Sequence, residues 1–145
     1  LNIGAMDGET FDGTRGYVNG YGWRGLFVEP IPEMFARLVK SFEGRTDVLF
    51  EQAAIATVDG EAEMLRMPIN FVDDQTVHHA FAGMATLLPA RNGMASAEDR
   101  AIVEQYGERI RVPCLTLQTL LAKHRVSQVD LLHIDVEGYD WAVLQ

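Results

Sequence analysis

The sequence predicts an α/β fold with a mainly parallel, doubly wound sheet, and three observations carry that prediction. Short apolar runs suited to strands alternate with stretches of helical periodicity, so the chain reads as successive βαβ units. Three of those runs end in glycine or acid, at Gly4, Glu29 and Asp135. In such sheets, ligands bind at the carboxyl ends of the strands. At 145 residues, 48% of them hydrophobic, the chain has the length of one domain and apolar surface enough for a core.

Leu1 and Ile3 begin an apolar alternation with nothing before it, so residues 1–4 read as the end of a strand. Residues 25–29, GLFVE, form the next strand, and EPIP supplies a stop and a proline suited to a first helical turn. In PEMFARLVKSFEG the apolar residues Phe35, Leu38, Val39 and Phe42 recur at i, i+3, i+4 and i+7, which predicts a helix. Gly44 stands where its C-terminal cap is expected. DVLFEQAAIATV predicts a third strand, and Asp59-Gly60 followed by EAEMLRM predicts a hairpin return. Residues 69–107 carry mixed signals, as an insertion or substrate loop would, with a short helix near AEDRAIVEQYG. RIRVPCL predicts another strand, and TLQTLLAKH a helix with Thr116 as its cap. VDLLHIDVEG predicts an apolar strand ending in acids, and YDWAVLQ, opened by Gly138, a helix of two turns. Repeats and low-complexity tracts are absent from the sequence.

Twelve Lys and Arg against 21 Asp and Glu leave a net charge of −9, which repels a phosphate backbone and sets DNA and RNA aside as partners. No run of about 18 apolar residues could span a membrane. The lone Cys114 allows neither an internal disulfide nor a cysteine metal cluster, which suits a reducing, cytoplasmic compartment. His78 and His79 are adjacent and would face opposite ways in a strand, so even with Asp73 or Asp74 nearby no metal site is expected. Met64, Met67, Met84 and Met94 either line a substrate pocket or pack flexibly. Trp23 and Trp141 are expected to pack.

The first glycine turn, Gly4-Ala5-Met6-Asp7-Gly8, is neither a G-x-G-x-x-G fingerprint nor a phosphate-cradling P-loop. Asp7, Glu9 and Asp12 crowd the expected helix start, where their charge would compete with a pyrophosphate. A ligand without phosphate and with positive charge fits better, and S-adenosylmethionine is one. Glu29 follows Gly4 by 25 residues, close to the spacing of about 20 at which an acid ending the second strand takes ribose hydroxyls. Its alternative role is to cap the helix that begins near Pro32.

The segments LNIGAMDG, WRGLFVEPIPEMFARL, AAIATVDGEAEM and VDLLHIDVEGYDWAVL together resemble the FkbM family of S-adenosylmethionine-dependent methyltransferases. The most specific parts are VEPIPEMF and HIDVEGYDWAVL. The resemblance implies a Rossmann-like domain over residues 1–145, truncated to the first four strands of a seven-stranded fold plus a hairpin or insertion. It also implies an activity, O-methylation of a hydroxyl on a sugar, glycan or natural product. Gly4, Ala5, Asp7 and Gly8 would line the methionine side of the cofactor, Glu29 and Pro30 the ribose, and Ala53, Ala54 and Ile55 the adenine. The chain departs from the family's pattern at Asn2, where aspartate is usual, and at Met6, where asparagine is common.

On the strand VDLLHIDVEG, Leu131, His133 and Asp135 share one face by the period of two. Asp135, emerging at its carboxyl end, is expected to position cofactor or substrate. Glu137 is the candidate base for the proton that an attacking hydroxyl must lose, or else a cap of the last helix. His133 reads as a hydrogen-bonded core or edge histidine. A domain that keeps the fold but has lost turnover is the competing reading, motivated by Asn2 and Met6. An NAD-dependent oxidoreductase is disfavoured by the acidic turn. The open edge of the last strand predicts self-association.

Overall fold

The computed structural model describes residues 1–10, 12–76, 78, 81, 84–87 and 97–145. His79 and Met94 lie outside the described residues. The elements run β1 (Asn2–Ile3), α1 (Arg15–Tyr21), β2 (Gly25–Val28), α2 (Pro32–Ser41), β3 (Val48–Glu51), β4 (Ala54–Ile55) and β5 (Gly60–Arg66). They continue with α3 (Ile69–Asp73), β6 (Ala85–Thr86), α4 (Ala97–Tyr106), β7 (Glu108–Leu115), α5 (Leu117–Lys123), β8 (His133–Ile134) and α6 (Asp140–Val143).

The first sheet is wholly parallel and has the order β3-β2-β1-β8. The chain lays its strands outward from β1 to β3, then returns to the far side of β1, so the order reverses between β1 and β8. Strand β2 shows the double winding. Leu26 and Val28 pack with Leu120 of α5 and Val143 of α6, whereas Phe27 packs with Val18 of α1 and Leu38 and Phe42 beside α2. The architecture is α/β and Rossmann-like, as expected.

Helix α2 starts at Pro32, whose missing N–H is no loss in a first turn. Leu38 and Phe42 bury as the periodicity predicts, but Val39 is exposed and Met34 takes a buried place instead. Met34 and Ile31 face a second sheet, packing on Ala54, Met64, Val112 and Cys114. That stripe and the bidentate ion pair of Arg66 with Glu33 dock α2 against it.

The second sheet, of order β4-β7-β5-β6, corrects two expectations. DVLFEQAAIATV is not one strand, because β3 stays in the first sheet while β4 pairs in parallel with β7. Asp59-Gly60 does not make a hairpin return either, since β7 lies between β4 and β5. The two-residue β4 offers a short ladder, whereas β7 offers β5 a register of seven antiparallel pairs from Gly60 to Arg66. Strand β8 is also shorter than VDLLHIDVEG suggests. Its partner β1 presents only Asn2 and Ile3, and Leu131 and Leu132 are exposed ahead of it.

Trp141 is 73% exposed and does not pack, because the short α6 turns Val143 inward instead. Trp23 is exposed too, and its contact is a stack on the equally exposed Tyr17, with ring centroids 5.1 Å apart. Met67 and Met84 pack around Phe81 and Val103, away from the first sheet.

Candidate functional site

A cavity of about 320 Å³ opens where the strand order reverses, lined by the loops after β1, β2 and β8 and walled by β4, Met64 of β5 and Ala85 of β6. This is the crevice in which an open α/β sheet binds its ligand. Of the residues singled out from sequence, Gly4, Ala5, Glu29, Pro30, Ala53, Ala54, Ile55, Asp135 and Glu137 line it. Met64 lines it as well.

Asp7 and Gly8 do not. Asp7 folds back on its own turn, accepting from the N–H groups of Glu9 and Thr10 and from the Thr10 hydroxyl. At Gly8 a side chain would meet Leu38 and Ser41, so this glycine serves the packing of the loop on α2. Of the acids in the loop, Asp12 is the one that meets backbone N–H groups at the start of α1, where its Oδ1 accepts from those of Thr14 and Arg15. Glu9 pairs with Arg15 at the surface.

Gly4 brings the two sides of the cavity together. Its φ is +82°, and a Cβ there would overlap the carbonyl oxygen of Asp135. The next turn places Met6 at φ +52°, and its N–H donates to Glu29 Oε2 at 2.9 Å. Ile31 N–H donates to Oε1, also at 2.9 Å. Glu29 thus ties the first loop to Ile31, the residue ahead of α2, without accepting from an N–H of the helix itself, and it remains in the cavity wall. Burial pushes its carboxyl up to about 7; the two N–H donors oppose the rise and Asp7 adds to it.

Beyond β8, Asp135 is exposed and its N–H donates to Ile3 at 3.0 Å. Glu137 is half-buried at φ +52°, a conformation unusual outside glycine. Burial, then the charges of Asp135 and Asp140, raise its carboxyl above the usual range. The Thr86 hydroxyl donates to the Glu137 carbonyl at 3.3 Å, tying this turn to the second sheet. Asp140, not Glu137, accepts from the loop N–H groups of Val136 and Gly138 that precede α6.

Beneath the loops lies a network that sequence reasoning did not assemble. The buried Asn2 donates through Nδ2 to Asp12 Oδ1 at 3.2 Å and to Thr14 Oγ1 at 3.0 Å, and its Oδ1 lies 3.1 Å from His133 Nδ1. The Thr14 hydroxyl donates to Asp12 Oδ1 at 2.7 Å. Asn2, Asp12 and His133 all line the cavity. The Asp-x-Thr spacing of residues 12–14 was the available signal for the capping half of this network. Nothing local in the sequence signals the link between Asn2 and His133.

The electrostatics are one-sided. Asp12, Glu29, Asp135 and Glu137 line the cavity, and among the described residues no Lys or Arg does. Such a wall favours a cation and disfavours phosphate. No group of three or more His, Cys, Asp or Glu among the described residues is arranged to hold a metal ion. Asp73 is instead paired with Arg37, and Asp74 with Thr76. No helix among the described residues is long and apolar enough to cross a membrane.

Among known proteins, the family model of the methyltransferase FkbM domain matches residues 2–145. No curated protein and no solved structure matches the chain.

Proposed function

The chain belongs to the FkbM methyltransferase family, and from that premise we propose that it is an S-adenosylmethionine-dependent methyltransferase acting on a hydroxyl of a sugar, glycan or natural product. The observation that carries the cofactor is the cavity at the strand-order reversal, walled by four carboxylates and no Lys or Arg among the described residues. A sulfonium and an ammonium are attracted there, whereas the pyrophosphate of a dinucleotide would be repelled. The acceptor class rests on the family resemblance alone, and the cytoplasm as the place of action on the lone cysteine.

Residues 1–145 form the cofactor-binding domain in this reading. Glu29 accepts the ribose hydroxyls, since each of its oxygens has spent one acceptor site on a backbone N–H and keeps another. Pro30 supports that end, and Ala53, Ala54 and Ile55 give the adenine an apolar wall. Gly4 and Ala5 bring the backbone close to the amino-acid end, while Asp7 holds the turn from outside the cavity. When bound, the cofactor supplies a methyl group on a positively charged sulfur. Asp135 orients the acceptor, and Glu137, its carboxyl raised by burial, receives the proton of the acceptor hydroxyl.

Calorimetric titration of S-adenosylhomocysteine into this chain and into Glu29→Ala tests the reading. Binding by the native chain that drops at least tenfold in the variant is expected. Absence of binding by the native chain would overturn it. Tight binding without methyl transfer to any hydroxyl acceptor, in a chain with Asp135 and Glu137 intact, would favour a binding domain that has lost turnover.

A further inference from the structure

We infer that His133 is a ligand-binding residue of the cavity, locked by Asn2 in one tautomer so that its bare Nε2 accepts a hydrogen bond from the α-ammonium at the cofactor's amino-acid end. The inference rests on the cofactor reading above and extends it to a residue outside the strand-end loops.

The direction of every hydrogen bond in the network follows from its acid. An ionised carboxylate only accepts. Asp12 Oδ1 takes the Thr14 hydroxyl proton, which leaves the Thr14 oxygen free to accept. The group of Asn2 that faces both of these acceptors must be its NH₂. Its carbonyl oxygen therefore points the other way, at His133 Nδ1, and that nitrogen must carry a proton to donate across 3.1 Å. A neutral imidazole protonated at Nδ1 has an unprotonated Nε2. That nitrogen has no hydrogen-bond partner among the described residues, yet it is not among the buried unpaired atoms. An accessible acceptor is thus held at a fixed orientation in the cavity wall.

The strand order says which end of the ligand it meets. In the order β3-β2-β1-β8 the ends of β2 with Glu29, of β1 with Gly4, and β8 with His133 succeed one another along the cavity, and Ala53 and β4 follow in the chain from β3, on the β2 side. With adenine against Ala53–Ile55 and ribose at Glu29, the rest of the cofactor continues towards β1 and β8. The ammonium is the strong donor on that part, and no cationic side chain among the described residues competes for the acceptor.

Two ligands and one spectrum test this. S-adenosylhomocysteine carries the amino-acid end, and 5′-methylthioadenosine lacks it. His133→Asn keeps a donor for Asn2 Oδ1 but loses the Nε2 acceptor. It should weaken S-adenosylhomocysteine roughly tenfold to hundredfold, the usual range for a hydrogen bond to a charged group, and leave 5′-methylthioadenosine unchanged. Equal weakening of both ligands, or of neither, overturns the inference while leaving the cofactor reading in place. A native chain that binds neither ligand overturns both. Independently of any variant, long-range proton–nitrogen NMR of the native chain should find His133 protonated at Nδ1 and bare at Nε2, and the reverse assignment overturns the inference.

Discussion

At Gly4 a methyl group would run into the carbonyl of Asp135, and the φ of +82° is one that side chains rarely adopt. Gly4→Ala should therefore lower stability by roughly 2–4 kcal/mol. Gly13→Ala, in open space at an ordinary φ, should change it by less than about 0.5 kcal/mol. Urea unfolding of both variants checks the contrast, and equal effects would show that the close approach at Gly4 is not what constrains it. Glu29 makes a second prediction, on pH. Its carboxyl titrates at about 7 in the folded state, against an ordinary value of 4.5. Between those values the folded chain holds a proton that the unfolded chain has released, so stability must fall as pH rises from about 4.5 to 7. The full contribution, on the order of 3 kcal/mol, is present below 4.5 and lost above 7. Denaturation across that window should show the decline in the native chain and a flatter profile in Glu29→Gln. Glu29 and Asp135 were legible in the sequence because each stands at the end of an apolar run, where period and spacing locate it. Asn2 and His133 were not, since what matters about them is a contact across 131 residues of chain.

Legibility at the scale of elements follows the range of the forces. Helix α5 could be read, because its start is a local matter. Thr116 accepts from Thr119 N–H at 3.1 Å, and Asp59 clamps the same turn by accepting from Thr116 N–H and the Thr119 hydroxyl. Thr116→Ala should cost about 1 kcal/mol of stability, read as a lowered unfolding midpoint at unchanged denaturant dependence. Helix α2 could be read from its proline and its period, although Val39, a correct period position, faces solvent because the second sheet draws Met34 inward instead. The second sheet itself could not be read. Whether β5 folds back on β4 or crosses to β7 depends on which strand offers the longer ladder, and β7 lies some 50 residues further along. Asp59-Gly60 signals a reversal of the chain, which does occur, but a reversal names no partner. The same reasoning explains β8. Its apolar run spans 129–136, yet a strand is only as long as its neighbour permits, and β1 permits two residues.

The molecule as a whole combines a strongly negative charge with open strand edges on its first sheet, and the two act against each other in solution. In the sheet order β3-β2-β1-β8 the outer sides of β3 and β8 have no strand beside them among the described residues. Leu49 on β3, and Leu131 and Leu132 ahead of β8, are exposed. Unpaired backbone beside apolar side chains is a template for another copy of the chain. The net charge of −9 opposes that approach, but only over the screening length, about 10 Å at 0.1 M salt and about 30 Å at 0.01 M. Self-association should therefore grow with both protein concentration and salt. Sedimentation velocity of the native chain at low and at moderate salt reads this directly. Leu132→Lys places a charge beside the β8 edge without touching the cavity, so it should shift the distribution towards monomer while leaving binding of S-adenosylhomocysteine intact. A native chain that stays monomeric at every salt concentration would mean that the short β8 ladder is too small a template. A variant that associates as before would move the contact to the β3 edge, where Leu49→Lys should then have the effect.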